Sequence, residues 1–135
     1  VLASGDGRTM TYHDSCQGLN ALGLGPEPRY LIEQVMGNTV VELAENRMCC
    51  GFGGSFSLEH PGVSRKLMDR KLDNAQATGA MVVVTDNQGC IMHLRGGIDA
   101  EGRPLRVRLA RLRADARTSI VASGPACRWW PQFRR

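Results

Sequence analysis

No run of apolar residues in this chain approaches the roughly 20 needed to cross a bilayer, and no basic-then-apolar leader opens it. Neither a membrane span nor a secretory leader is therefore expected within these 135 residues. Phosphate fingerprints are missing as well. Gly51-Phe52-Gly53-Gly54 is glycine-rich, but it has neither the GxGxxG spacing nor the Lys-Ser/Thr pair of a P-loop. No Ser/His/Asp motif is present, and no residue is placed as a base that would take a proton from a substrate. Aromatics are scarce, at 5 %. The net charge of +4 hints at nucleic acid, yet about half of the basic residues follow Gly102, and the part before it is close to neutral. The only aromatics near those late arginines are Trp129, Trp130 and Phe133. Nucleic-acid recognition by interleaved Arg and aromatic side chains is not expected.

What is present is an unusual set of cysteines. Cys49 and Cys50 are adjacent and are followed by Gly51, with Cys16 some 30 residues upstream and Cys90 some 40 downstream. Neighbouring side chains point apart, so adjacent cysteines rarely bridge each other. They do suit a polynuclear metal site, into which both sulfurs can point. Five cysteines is an odd number, and the spacing is not that of a small secreted scaffold. A reducing cytoplasm, where thiolates remain available for metal, fits this usage best. The pair argues for a metal or iron–sulfur site with Cys16 and Cys90 as distant ligands. Four sulfurs also suit Zn²⁺, although in a mononuclear site both bonds of an adjacent pair must leave one peptide unit, which favours a cluster.

The chain is long enough for one domain with a real core, and its apolar fraction of 42 % is ordinary. Thr9–His13 reads as a strand, and Asp14-Ser15 as the cap of a helix or turn that begins at Cys16. Pro26 or Pro28 opens a helix with Leu31, Ile32 and Val35 on one stripe, ended by Gly37-Asn38. Thr39–Leu43 reads as a second strand. Pro61 starts a long helix to about Thr78, where Val63, Leu67, Met68, Leu72 and Ala75 keep the helical period and Gly79 caps the end. Ala80–Thr85 is apolar without alternation, as expected of a strand buried on both faces of a parallel sheet. After the turn Asp86–Gly89, Cys90 starts a short helix through Leu94, and Pro104–Val107 is a candidate last strand. The expected fold is α/β, with a mostly parallel sheet of about four strands flanked by helices. Ligands in such sheets gather at the carboxyl ends of the strands. Cys16, Cys49, Cys50 and Cys90 all follow strands, so the four thiols are expected on one edge.

Three stretches together, Tyr12-His13-Asp14-Ser15-Cys16, Cys49-Cys50-Gly51-Phe52-Gly53-Gly54 and Gly89-Cys90-Ile91-Met92, resemble the cysteine-rich CCG domain. That domain occurs in heterodisulfide reductase, in glycolate oxidase iron–sulfur subunits and in the lactate-utilisation iron–sulfur protein. Ala75–Ala80 and Gly89–His93 look most like the lactate-utilisation branch. The resemblance covers about 9–108. It implies an iron–sulfur electron-transfer domain in a complex that oxidises a 2-hydroxy acid, lactate or glycolate. It also implies other iron–sulfur and dehydrogenase subunits as partners. The implied ligands are Cys16, Cys49, Cys50 and Cys90 of a cluster, [4Fe-4S] in type, with zinc as the alternative. His13, Asp14, Gly51, Gly53 and Gly54 would support the ligands from behind. Family members carry two such domains in tandem, and residues 1–108 look like the second. The start at Val1 is what a piece of a longer protein would show.

The sequence departs from the family pattern twice. The motif ends in C-x-x-C, but here His93 takes the place of the last cysteine. This leaves four thiolates, enough for an ordinary [4Fe-4S] cluster, and puts a five-cysteine non-cubane type in doubt. His93 becomes an additional candidate ligand, against the plainer reading of a polar surface residue. Residues 109–135 form an Arg-rich tail unlike the family's apolar ending, as after a frame change or in a degenerate fragment. Poor order is expected there, and Cys127 is expected to be a bystander.

Overall fold

The run Val82-Val83-Val84-Thr85 is buried throughout because it lies inside a sheet covered on both faces. A computed structural model describes residues 7–110. Its strands are β1 (Thr9–His13), β2 (Thr39–Val40), β3 (Val82–Thr85) and β4 (Arg106–Leu109). They form one sheet in the order β2-β1-β3-β4, with every pair parallel. Helices α1 (Cys16–Ala21) and α2 (Glu27–Tyr30), the latter continued by a π-helical turn at Leu31–Val35, cross from β1 to β2. Helices α3 (Phe56–Glu59) and α4 (Pro61–Ala77) cross from β2 to β3, and α5 (Gln88–Glu101) from β3 to β4. This is the expected α/β layout. No helix among the described residues is long and apolar enough to cross a membrane.

Strand alternation assigns the two faces. Val82 and Val84 pack with Met10, Tyr12 and Ile32 on one side. Val83 packs on the other with Met68, Leu72, Ala75, Leu94, Ile98 and Val107, under α4 and α5. The register pairs Thr11 with Val83 and His13 with Thr85. Thr11 and His13 therefore face α4 and α5, on the same side as Cys50 and Cys90.

Several element boundaries differ from the sequence reading. The strand read as Ala80–Thr85 begins only at Val82, after the exposed Met81. The second strand ends at Val40 instead of Leu43. Val41 N–H still donates to Met10 O at 2.8 Å, but Glu42 then turns to the Arg29 guanidinium and Leu43 enters the α4/α5 core. The helix after β3 runs to Glu101, with Gly102 in the left-handed conformation as its cap. Gly96-Gly97 inside it resembles a break, but Gly97 lies against Met68, whose Sδ would be 2.6 Å from a Cβ there. That glycine lets α5 close onto α4. The last strand is Arg106–Leu109, two residues later than Pro104–Val107, since it must reach Thr85 to complete its ladder. Residues 111–135, with Cys127, Trp129 and Trp130, lie outside the described residues.

Candidate metal centre

Cys16 opens α1 directly after β1. Ser15 caps that helix by accepting a hydrogen bond from Gly18 N at 2.9 Å. Gly18 is pressed against the loop after β3, where a Cβ would stand 1.9 Å from an Asp86 carboxylate oxygen. Cys16 itself is exposed.

The segment that delivers Cys49 and Cys50 is held mainly by α4. Lys71 occupies the buried stripe of that helix with Ser64, Met68, Leu72 and Ala75. It is only 1 % exposed, and its Nζ donates to Glu45 O and Asn46 O, each at 2.8 Å. Asn74 adds a bond to Ala44 O at 3.1 Å, and Arg70 one to the Glu45 carboxylate at 2.7 Å. From the other side, Asp14 N–H donates to Asn46 Oδ1 at 2.8 Å. The Asp14 carboxylate takes two bonds from Arg29, at 3.0 and 3.1 Å, and Arg29 also binds Glu42. The Asp14 carboxylate thus ties β1 to the approach of the cysteine loop. Loss of water pushes the Lys71 ammonium down to about 8, with the Cys50 and Cys49 thiols, Glu45 and Asp14 working in the opposite direction. The cation is held close enough for the thiols to affect its charge.

Beyond the cysteines the backbone reverses through Gly51 (φ 94°), Gly53 (φ 51°) and Gly54 (φ 62°). Gly51 is the constrained one. Its carbonyl accepts from Ser64 Oγ at 2.7 Å, and its N–H donates to Cys49 Sγ at 3.3 Å. Cys90 arrives in the first turn of α5, where Asn87 Oδ1 accepts from its N–H at 3.1 Å. Phe52 lies over Gly89, where a Cβ would be 2.5 Å from the ring.

These supports bring Cys50 Sγ and Cys90 Sγ to 3.2 Å, both buried. The donor atoms of His13, Cys50 and Cys90 lie within 4.8 Å of one another. Cys49 is half-buried beside them, and Cys16 stands outside the group. His93, one turn after Cys90, is buried. Its Nε2 is 3.2 Å from Ser64 Oγ and its ring is 6.0 Å from the Phe52 ring centre. It is a core residue of α5 and not surface, and it too stands outside the group.

Two sulfurs and an imidazole are the donor chemistry of zinc and iron sites. The fit is supported by His13, whose buried ring nitrogens have no hydrogen-bond partner. Burial pushes His13 down to about 4, with the Lys71 charge adding to this. The Asn46 backbone approaches the ring and works the other way without reaching hydrogen-bond geometry. The ring is therefore neutral at pH 7, the form that binds metal. Cys49 is held well above the usual thiol range by its hydrogen bond with Cys50 and by burial. For Cys50 the bond with Cys49 pulls down, but the bond with Cys90 and burial outweigh it and leave the thiol at about 12. Metal uptake must then displace thiol protons.

Residues 10–95 match the model of a family described as "Cysteine-rich domain" and labelled CCG. The chain belongs to the CCG cysteine-rich domain family. This CCG domain is 39 % identical over 97 residues to Lactate utilization protein A of Exiguobacterium sp., covering 72 % of the chain and 40 % of that protein. It is 37 % identical over 101 residues to Lactate utilization protein A of Shouchella clausii, covering 75 % of the chain and 42 % of that protein. With the protein of that name from Oceanobacillus iheyensis the identity is 37 % over 98 residues, covering 73 % and 40 %. The chain thus spans about two fifths of the length of the curated relatives it matches. No solved structure matches it significantly. The expected family is borne out, and the His13, Cys50 and Cys90 donor atoms form a group that could hold a metal ion.

The motif reads His13 only as a support for the ligands, and it does not reach Lys71. His13 is seen in the sequence as a neighbour of Cys16, but alternation from the buried Met10 and Tyr12 puts it on the opposite face, among the sulfurs. Lys71 follows Ser64 and Met68 at helical spacing, on the core stripe of α4, where a charge calls for an explanation. A cleft of about 630 Å³ adjoins the same loop, with Asp14, Arg29, Glu42, Asn46, Arg47 and Met48 among its lining, and none of the cysteines among the described residues lines it.

Proposed function

We propose that this CCG domain holds an iron–sulfur cluster, [4Fe-4S] in type, and relays electrons in a complex that oxidises lactate. The observation that carries this reading is the meeting of the buried Cys50 and Cys90 sulfurs, with Cys49 beside them, in a chain 37–39 % identical to proteins named for lactate utilisation. Cys16, Cys49, Cys50 and Cys90 are the proposed thiolate ligands. When bound, the cluster supplies one-electron transfer. The protein's own residues do the rest. The glycine loop brings backbone N–H groups close to sulfur, as Gly51 N already is to Cys49. Phe52 walls the site beside Gly89. Lys71 sets a positive charge against the thiolates.

No group in the site is placed to abstract a substrate proton, so this domain is proposed as a relay and not as the place where lactate is oxidised. Its proposed partners are the other iron–sulfur and dehydrogenase subunits of that complex, and it is proposed as the second of two tandem CCG domains. A reducing compartment such as the cytoplasm would keep the 3.2 Å thiol pair from closing to a disulfide.

One observation favours a second reading, a structural zinc site. Three donor atoms within 4.8 Å suit a single tetrahedral ion. A redox titration of anaerobically reconstituted protein, followed by visible absorption and EPR, separates the two. A reversible one-electron couple in a brown protein is the expected result. A colourless, redox-silent protein that retains zinc would replace the relay with a structural role.

A further inference from the structure

We propose that His13 is itself a ligand of the metal centre, through an imidazole nitrogen that binds alongside the sulfurs of Cys50 and Cys90. This rests on the reading that the site takes up metal, and it adds a nitrogen donor to a set that the CCG motif describes as cysteine alone.

Four observations converge on it. Strand alternation turns His13 toward α4 and α5 while Met10 and Tyr12 face away. The residue is completely buried, at 0 % exposure. Neither Nδ1 nor Nε2 has a hydrogen-bond partner. Buried polar atoms in native proteins almost always have one, and the exceptions call for an explanation such as an ion. The His13 ligand atom lies within 4.8 Å of both Cys50 Sγ and Cys90 Sγ. Packing alone would favour an apolar residue in this place. A metal ion held by the two sulfurs satisfies the lone pair.

His93, the other buried histidine, does not meet the same description. Its Nε2 faces Ser64 Oγ, and it lies outside the group of three donors. His60, the third and last histidine of the chain, is exposed at the start of α4. The three histidines can therefore be told apart by substitution.

The test uses the whole chain labelled with ¹⁵N at histidine, reconstituted anaerobically with ferrous iron and sulfide, reduced, and measured by pulsed EPR. The expected result is the hyperfine coupling of a nitrogen bonded directly to the metal. It should persist in the double variant His60→Gln, His93→Gln, where His13 is the last histidine, and disappear in His13→Cys. That variant should keep its iron and titrate at a lower reduction potential, because imidazole ligation raises the potential. Should His13→Cys fail to fold, the double variant still decides the assignment. Full iron without any directly bonded nitrogen, or a coupling lost in the double variant, would overturn the proposal while leaving the iron–sulfur reading intact.

If the chain takes up no iron, the iron–sulfur reading fails on its own, and Co²⁺ becomes the probe. The d–d bands of the Co²⁺ protein are then expected to move toward those of an all-thiolate site in His13→Cys. Unchanged bands, or no Co²⁺ binding at all, would refute the ligand role.

Discussion

Replacing Gly51 with alanine is expected to cost the fold about 2–4 kcal/mol and to abolish metal uptake. Two independent constraints act at this position. Its φ of 94° is one that L side chains rarely adopt. A Cβ would also stand 2.4 Å from Ser64 O and 3.2 Å from Leu67 Cβ. Ser64 O belongs to the backbone of the 17-residue α4, which cannot yield as a flexible side-chain tip would. The loop must therefore move instead. Its movement breaks the 2.7 Å bond from Ser64 Oγ to Gly51 O and displaces Cys50, one residue away, from Cys90. The check is the denaturation midpoint of the metal-free protein together with its iron content after reconstitution. Gly62→Ala is the control, since φ there is not positive and no atom lies within 4 Å of the added Cβ. It should leave both readouts near wild type. Wild-type stability and iron in Gly51→Ala would mean that the loop does not lean on α4 as described.

Lys71→Met is expected to destabilise the metal-free protein by about 3 kcal/mol and to weaken the centre as well. The methionine fills the volume but leaves Glu45 O and Asn46 O without their charged donor. Those carbonyls fix the turn that carries Glu45 at φ 52°, four residues before Cys49. The thiolates also lose their nearby countercharge, so any cluster should form less fully and titrate at a lower potential. Lys71→Arg keeps the charge but not the compact ammonium, and only partial rescue is expected. Chemical denaturation and potentiometry check the two effects separately. A Lys71→Met protein that matches wild type in both would reduce Lys71 to an incidental buried cation.

The architecture is legible where residue pattern and burial agree. The Val82–Val84 run looks two-faced because it is, with Val83 under α4 and α5 and its neighbours against Ile32 and Tyr12. The cysteine doublet, Gly51 and the strand-following positions of Cys16 and Cys90 point to a metal site by residue type and spacing alone. The departures have local causes. Leu43 continues a β-like run in sequence, yet it lies beyond the end of β2 and is buried in the core under α4 and α5. The helix read as ending near Leu94 continues through Gly96-Gly97 because Gly97 admits the close approach of Met68. The placement of His13 and the role of Lys71 are hidden for another reason. Each residue is polar, and only its place on a buried face, period two for the strand and the helical stripe for α4, shows that His13 lies among the sulfurs and that Lys71 holds the Glu45 and Asn46 carbonyls.

The most direct test of the central claim is to count iron, acid-labile sulfide and zinc in one anaerobically reconstituted sample. The account predicts about four irons with matching sulfide, lost when Cys50 becomes serine. One zinc per chain, without sulfide or visible absorption, would contradict it.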